Sequence, residues 1–422
     1  MPDYKRKKFR RGFKSKSKKP NVSNDIIMSS SKKERKSVLP ENDIKVVRGA
    51  KLKRRRRINI VISVFAVLLA VSALLSVILP VSLFENIVNA FSLIGNGTYP
   101  ANVSGSAVLN TVSNGSYYYV LSDTNISAYS NNGKKIFSEL HGFSNPIISV
   151  SETRALVFDQ GGKNLYIYNL SGQINSIAAE EEIINAVISR SGKIAVVTHS
   201  DRYTSAVNFY DKNCELIYTW NSAKDIVNNV LLNSSGDKFA ISTLNAVSGR
   251  YSSKVSVFNF KSVDPLFTLE LDSSVVLSLK DTGNGISVVT DNKYKYIGWS
   301  KFTTSEISAS GEINICRASK KGTLIVFNRA NDRSDNTVVL ISKKGEKICE
   351  FKINGIITDI VYSKNRIYYI CDNTVYILDK KGNVLREAPC DYGAVKIEVI
   401  GFNSLALINE NQILKNNIEK GE

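Results

Sequence analysis

Two histidines, His141 and His199, are the only imidazoles in this 422-residue chain, and no nucleophile motif accompanies them. The sequence has no GxSxG elbow, no HExxH, no Walker loop and no EF-hand loop. His199 closes the apolar run IAVVTHSD, where a turn histidine bonded to backbone is the simpler expectation. His141, within HGFSNP, falls in a connection between strands and is expected to be structural. Carboxylate pairs could serve glycoside hydrolysis, but Glu180-Glu181-Glu182 reads as a solvated loop. The five cysteines (Cys214, Cys316, Cys349, Cys371, Cys390) are odd in number and contain no CxxC pair. That spacing disfavours a metal site and leaves unpaired, partly buried thiols as the expectation. No cofactor constellation is read.

The elements that would position these groups are short apolar or alternating runs rich in Val, Ile, Tyr and Phe, broken by Asn/Asp/Gly/Ser turns. This is a strand signature. Turn signals recur at Asn132-Gly133, Ser171-Gly172, Lys212-Asn213, Lys344-Gly345 and Lys381-Gly382, at spacings of 39, 41 and 37 residues between neighbours. A period near forty with four strands per unit predicts an all-β fold, a β-propeller. Lettering the strands a to d, blades fall near 107–140, 147–178, 183–219, 226–270, 275–308, 313–351 and 357–387. The remainder, 394–418, offers three strands, which would leave an open edge. The missing strand is available in Tyr99 to Ser104, so eight blades closed by an N-terminal outer strand are expected, with seven the alternative.

In such a ring the b–c turns share one face with the connections between blades. Those turns hold Asp123, Asp159, Asp201, Asp291, Asp332 with Asp335, Asp372 and Glu410, while the eighth is the long loop from Asn245 to Ser253. Asp is favoured in tight turns because its side chain bonds nearby backbone amides. The functional reading is an acidic face, joined by His141 beside Asp159, that takes a cation, a cationic peptide or a wall component.

Charge and hydropathy divide the chain. Residues 1–57 carry 22 of the 56 Lys/Arg and 5 of the 38 Asp/Glu, leaving 34 against 33 in residues 58–422. The formal charge of +18 therefore belongs almost wholly to a tail too poor in apolar residues to fold alone. A nucleic-acid-binding domain is disfavoured by that segregation. Ile58 to Leu79 is an uncharged apolar run whose helix would measure roughly 33 Å, enough to cross a bilayer. Lys51, Lys53 and Arg54 to Arg57 abut one end, and the next basic residue is Lys134, which predicts a cytoplasmic N-terminus. The expected organisation is a disordered basic cytoplasmic tail (1–57), a transmembrane signal-anchor helix (58–80), a linker (81–98), an extracytoplasmic propeller (99–418) and a C-terminal tail (419–422). Lys5, Arg6, Lys7, Lys8, Arg10, Arg11 and Lys14 lie too far from the helix to set topology and suit contact with anionic lipid.

The segments YPANVSGS (99–106), LSDTNISAYSNNGKKIFSELHGFSNP (121–146) and ALVFDQGGKNLYIYN (155–169) resemble an uncharacterised family of membrane-anchored, quinoprotein-like or WD40-like propellers from Gram-positive bacteria. The resemblance implies architecture, since that family carries no activity to transfer. The GH…WD signature of WD40 repeats is absent, and with only Trp220 and Trp299 the docking tryptophans of quinone-dependent dehydrogenases are missing. A plasma-membrane, single-pass protein with a non-catalytic binding or scaffold module outside is therefore expected. A surface hydrolase or lyase using carboxylates on the loop-rich face is the alternative. The closing strand also orients the disc: the anchor leads into its start, so the c–d turns should lie nearer the membrane than the acidic turns.

Overall fold

The computed structural model describes residues 58–67, 81–247, 249–308, 311–319, 321–329, 332–390 and 393–417. The chain divides into two units, 1–74 and 75–422. In the first, residues 58–67 are a helix, α1, with exposed apolar side chains. Among the described residues no helix is long and apolar enough to cross a membrane. The expected span continues through 68–80, and that part, like the tail cluster from Lys5 to Lys14, lies outside the described residues.

The second unit contains eight four-stranded antiparallel sheets. Blades 1 to 7 cover 108–140, 146–178, 183–222, 226–272, 276–307, 312–354 and 357–389. Blade 8 takes its a, b and c strands from Lys396–Val399, Ser404–Ile408 and Gln412–Asn417, and its outer d strand from Ala101–Asn102. The closing register is Ala101 to Ile413 and Asn102 to Gln412. The N-terminal closure expected from the leftover strands is thus present, through a shorter strand than Tyr99 to Ser104.

Position in the blade explains strand composition. Strand b is covered on both sides by neighbouring blades, so Tyr117–Ser122, Ile194–Thr198 and Gly285–Thr290 are buried throughout. Strand d is the rim and alternates, as in Val384–Pro389. Strand a lines the axis. In six blades it carries a bulge at the same place, after Val108, Ile183, Val227, Val276, Ile313 and Ile357. Each bulge re-aims one residue, Leu109 and Leu277 among them, toward the solvent-reached centre.

The turn signals that betrayed the repeat have a backbone cause. Gly133, Gly345 and Gly382 hold φ of 86, 82 and 92°. A side chain is disfavoured there. A Cβ on Gly345 would also fall 2.4 Å from the Tyr296 ring. In blade 3 the left-handed residue is Cys214, not the neighbouring Asn213 that marked the period.

The expected linker 81–98 is largely a second helix, α2 (Val81–Leu93). It packs on the side of the disc formed by the a–b and c–d turns. Asn89 donates to the Thr153 carbonyl at 3.2 Å in the blade 2 a–b turn, and Lys134 of the blade 1 c–d turn caps the α2 C-terminus by donating to the Ser92 and Ile94 carbonyls at 2.9 and 2.6 Å.

Candidate functional site

The b–c turn carboxylates share one face, and four of them make the same bond. The Ala107, Asn145, Val275 and Ile356 amides each directly precede strand a of their blade. They donate to Asp123, Asp159, Asp291 and Asp372 at 3.2, 2.8, 3.2 and 3.2 Å. Each Asp therefore ties the middle hairpin of a blade to the start of its inner strand. Asp123 also accepts from the Ser106 amide at 2.9 Å and hydroxyl at 2.5 Å, and these donors lower its pKa to about 2. Blade 4 uses the same link with the groups exchanged, Asn245 donating to Asp225 at 2.8 Å. Asp332 accepts from the Ser334 hydroxyl at 2.6 Å, which lowers its pKa. Asp335 is half-buried, and Asp201 and Glu410 are exposed.

His141 is only 3 % exposed. Its Nδ1 accepts from the Phe143 amide at 3.0 Å, so Nε2 carries the proton and donates to the Ser122 carbonyl at 3.2 Å. Both nitrogens are thus engaged, one within the blade 1 to blade 2 connection and one at the end of strand b of blade 1. Asp159, expected beside it on the same face, accepts from the Asn145 amide of that same connection. Among the described residues no group of three or more His, Cys, Asp or Glu could hold a metal ion.

A second polar set, on the axis, escaped the reading of the sequence. Arg317 projects from strand a of blade 6 and donates from Nη2 to both Asp359 oxygens at 2.8 Å. Asp359, on strand a of blade 7, also accepts from the Ile397 amide of blade 8 at 3.0 Å. Glu398 of blade 8 accepts from the Thr111 hydroxyl of blade 1 at 2.7 Å, and Arg317 Nη1 reaches the Thr111 carbonyl at 3.3 Å. One guanidinium thus helps to link blades 6, 7, 8 and 1 across the closing seam. Burial raises the Glu398 carboxyl to about 7, a rise that Arg317 and Thr111 only partly oppose. Lys280 in blade 5 is crowded by protein, which lowers its pKa by desolvation, although solvent still reaches its side chain. In blades 3 to 5 amides replace ions: Asn185 donates to Asn229 at 3.1 Å, and Asn229 to the Val276 carbonyl at 3.1 Å.

The third constellation is the seat of α2. Glu85 forms a buried ion pair with Arg154 and accepts from the Thr153 hydroxyl at 2.8 Å. Arg154 also donates to the Lys212 carbonyl at 2.5 Å, in the blade 3 c–d turn. The only sequence signal was a Glu and an Asn at i, i+4 in a mainly apolar stretch, which places both on one helix face. Two recesses open away from the acidic turns and the axis. One, of about 420 Å³, is lined by Lys193, Tyr218, Lys238, Phe260 and Lys261, and another, of about 620 Å³, lies beside residues 97–100 and Leu414.

An eight-bladed ring closed by its own N-terminal strand, with ionic contacts along the axis, places the chain in the class of β-propeller repeat proteins. Two solved structures match the fold at a TM-score of 0.50 or above, and a third falls just below. The C-terminal WD40 domain of Sif2 matches at 12 % identity and TM-score 0.53 over 77 % of this chain and 100 % of that one. Dihydro-heme d1 dehydrogenase NirN in complex with DHE matches at 10 % and 0.50, over 75 and 76 %. BamB from Moraxella catarrhalis matches at 12 % and 0.49, over 76 and 99 %. At these identities the likeness concerns the fold alone. No curated protein matches the sequence. Residues 98–417 match the family of unknown function DUF5711, and the chain belongs to that family.

Proposed function

We propose that this protein is a membrane-anchored, extracytoplasmic binding or scaffold module that displays its acidic b–c face away from the membrane. The observation that carries this reading is the seat of α2. The helix follows the apolar run 58–79 and is pinned to the a–b and c–d side of the disc. An anchor at 58–80 would then hold that side toward the bilayer and leave the opposite face open. Rigid loops from all eight blades on one face suit recognition of a cationic peptide or a cell-wall component. The cytoplasmic tail, with Lys5, Arg6, Lys7, Lys8, Arg10, Arg11 and Lys14, would hold anionic lipid on the other side of the membrane.

Binding is favoured over hydrolysis by the state of the axial carboxylates. Asp359 and Glu398 are 2 and 3 % exposed and already bonded within the protein, whereas a glycosidase pair must reach substrate and water. Protease added to intact cells should digest the β domain and spare the tail; digestion of the tail alone would refute the topology. A photo-crosslinker at Tyr251, in the b–c hairpin of blade 4, should capture a surface partner that one at Lys344 does not. Equal capture from both positions would remove the acidic face as the binding face.

A further inference from the structure

α2 packs on the disc through the polar Glu85 and Asn89 beside Leu93, and leaves large apolar side chains outside. A helix packed on a domain ordinarily buries its apolar stripe and wets its polar one. Here Glu85 and Asn89 are 9 and 5 % exposed and face the propeller, while Ile87, Phe91 and Ile94 at its outer side are 52, 69 and 66 % exposed. These three recur at i, i+4 and i+7, so they form a single stripe. The inward contacts are specific, through Arg154, Thr153 and the Leu170 amide, which donates to Asn89 at 3.2 Å. The apolar stripe thus cannot turn inward without breaking a buried ion pair.

The same side of the disc is basic. Lys261, Lys301, Lys343, Lys344, Lys380 and Lys381 stand exposed in the c–d turns of blades 4 to 7. Val263, 82 % exposed, and Phe402, 66 % exposed, protrude on this side as well. An apolar stripe over blades 1 to 3 and exposed lysines on the same side of the disc in blades 4 to 7, at the end of a run long enough to cross a bilayer, are the composition of a surface that lies in a lipid interface.

We infer that α2 is an interfacial helix: Ile87, Phe91 and Ile94 enter the outer leaflet of the membrane that holds the anchor, and the c–d turn lysines meet its anionic headgroups. The inference rests on the anchored reading above and adds to it a fixed attitude of the propeller on the bilayer. The polar stripe is then a clamp to the disc and the apolar stripe a clamp to the lipid.

The test uses the full chain reconstituted into phosphatidylglycerol-containing vesicles with acyl chains brominated near the headgroup. Flotation after alkaline carbonate washing reports the anchor by itself. Phe91→Trp and, as a second reporter, Ile87→Trp should each add emission over the parent protein that brominated lipid largely quenches. Tyr251→Trp, on the opposite face, should add emission open to acrylamide and untouched by brominated lipid. Retained flotation with Phe91→Trp and Ile87→Trp emission open to acrylamide alone would overturn the interfacial helix while leaving the anchor standing. Shielding of that emission from both quenchers would assign the stripe to a protein contact, such as a second copy, and also overturn it. Loss of flotation would remove the anchored reading and the inference with it.

Discussion

Glu85 on α2 and Arg154 in the a–b turn of blade 2 form an ion pair sealed between helix and disc, their side chains 12 and 8 % exposed. The Arg154 Nε donates to Glu85 at 2.8 Å, and the same guanidinium reaches the Lys212 carbonyl of blade 3. Removing one partner leaves a buried charge uncompensated, which costs about 3–5 kcal/mol, whereas replacing both with apolar groups is often neutral. Glu85→Ala should therefore release α2. Its amides between residues 85 and 93 should exchange as fast as those of an unfolded chain while the blades stay protected. Glu85→Leu combined with Arg154→Met should restore most of that protection. Hydrogen exchange followed by mass spectrometry checks both outcomes.

The four turn aspartates predict a graded effect on stability. Each of Asp123→Ala, Asp159→Ala, Asp291→Ala and Asp372→Ala removes an acceptor for a backbone amide, a loss of about 0.5–1.5 kcal/mol. Because the residues occupy separate blades, pairs of these changes should add. Asn at the same positions keeps an acceptor oxygen and should recover much of the loss. Urea midpoints of the single and paired variants would measure this. A markedly larger cost for one Asp would point to a role for it beyond the turn.

Much of this was readable because the fold repeats. The turn residues Gly133, Gly172 and Asn213, and again Gly345 and Gly382, recur at intervals of 39, 41 and 37 residues, and a leftover of three strands demanded a fourth from the N-terminus. The acidic turns were legible as a set. Their bonds were less so, although Asp123, Asp291 and Asp372 each follow their donor by 16 residues. The axial set was hidden for a different reason. In EINICRAS, ITDIVYS and KIEV the isolated charged residues within a strand look like positions facing solvent. Only ring closure turns that side into a partly enclosed axis where Arg317, Asp359 and Glu398 meet. The α2 clamp depends on residues 69 apart in the chain and on polar side chains facing inward from a helix, so local pattern could not pair them.

Glu398 makes the ring sensitive to pH. Its pKa stands at about 7 in the fold against an ordinary 4.5, so between these values the folded protein binds more protons than the unfolded chain. Stability from this group is complete below the unfolded value and is lost as pH rises through the folded one. The whole effect is on the order of 3 kcal/mol for a fully buried carboxyl. Glu398→Gln keeps an oxygen for the Thr111 hydroxyl and removes the titration. The difference in melting temperature between wild type and Glu398→Gln should be smallest near pH 5 and grow toward pH 8 in favour of the variant. A wild-type curve parallel to that of Glu398→Gln would mean that the carboxylate remains ionised in the axis.

Closure of the ring offers the sharpest test of the fold. The outer strand of blade 8 is only Ala101–Asn102, reinforced by the Val103 amide on the Asn411 carbonyl at 2.9 Å and by the Tyr129 hydroxyl on the Asn102 carbonyl at 2.7 Å. Beneath it Ile413 is wholly buried and Ala101 is 8 % exposed. A chain beginning at residue 107 loses these contacts and exposes the edge of Gln412–Asn417, a template for pairing with another copy. Uncovering a side chain such as Ile413 costs about 1.5–3 kcal/mol. A chain beginning at residue 95 loses α2 but keeps the closing strand. The longer fragment should elute as a monomer and melt in a single transition. The shorter one should associate and melt several degrees lower, in proportion to that loss. Ala101→Asp within the longer fragment, which forces a charge under the closing strand, should reproduce the defect. If the two fragments behaved alike, blade 8 would be stable with three strands, and the N-terminal strand would be a passenger on the rim.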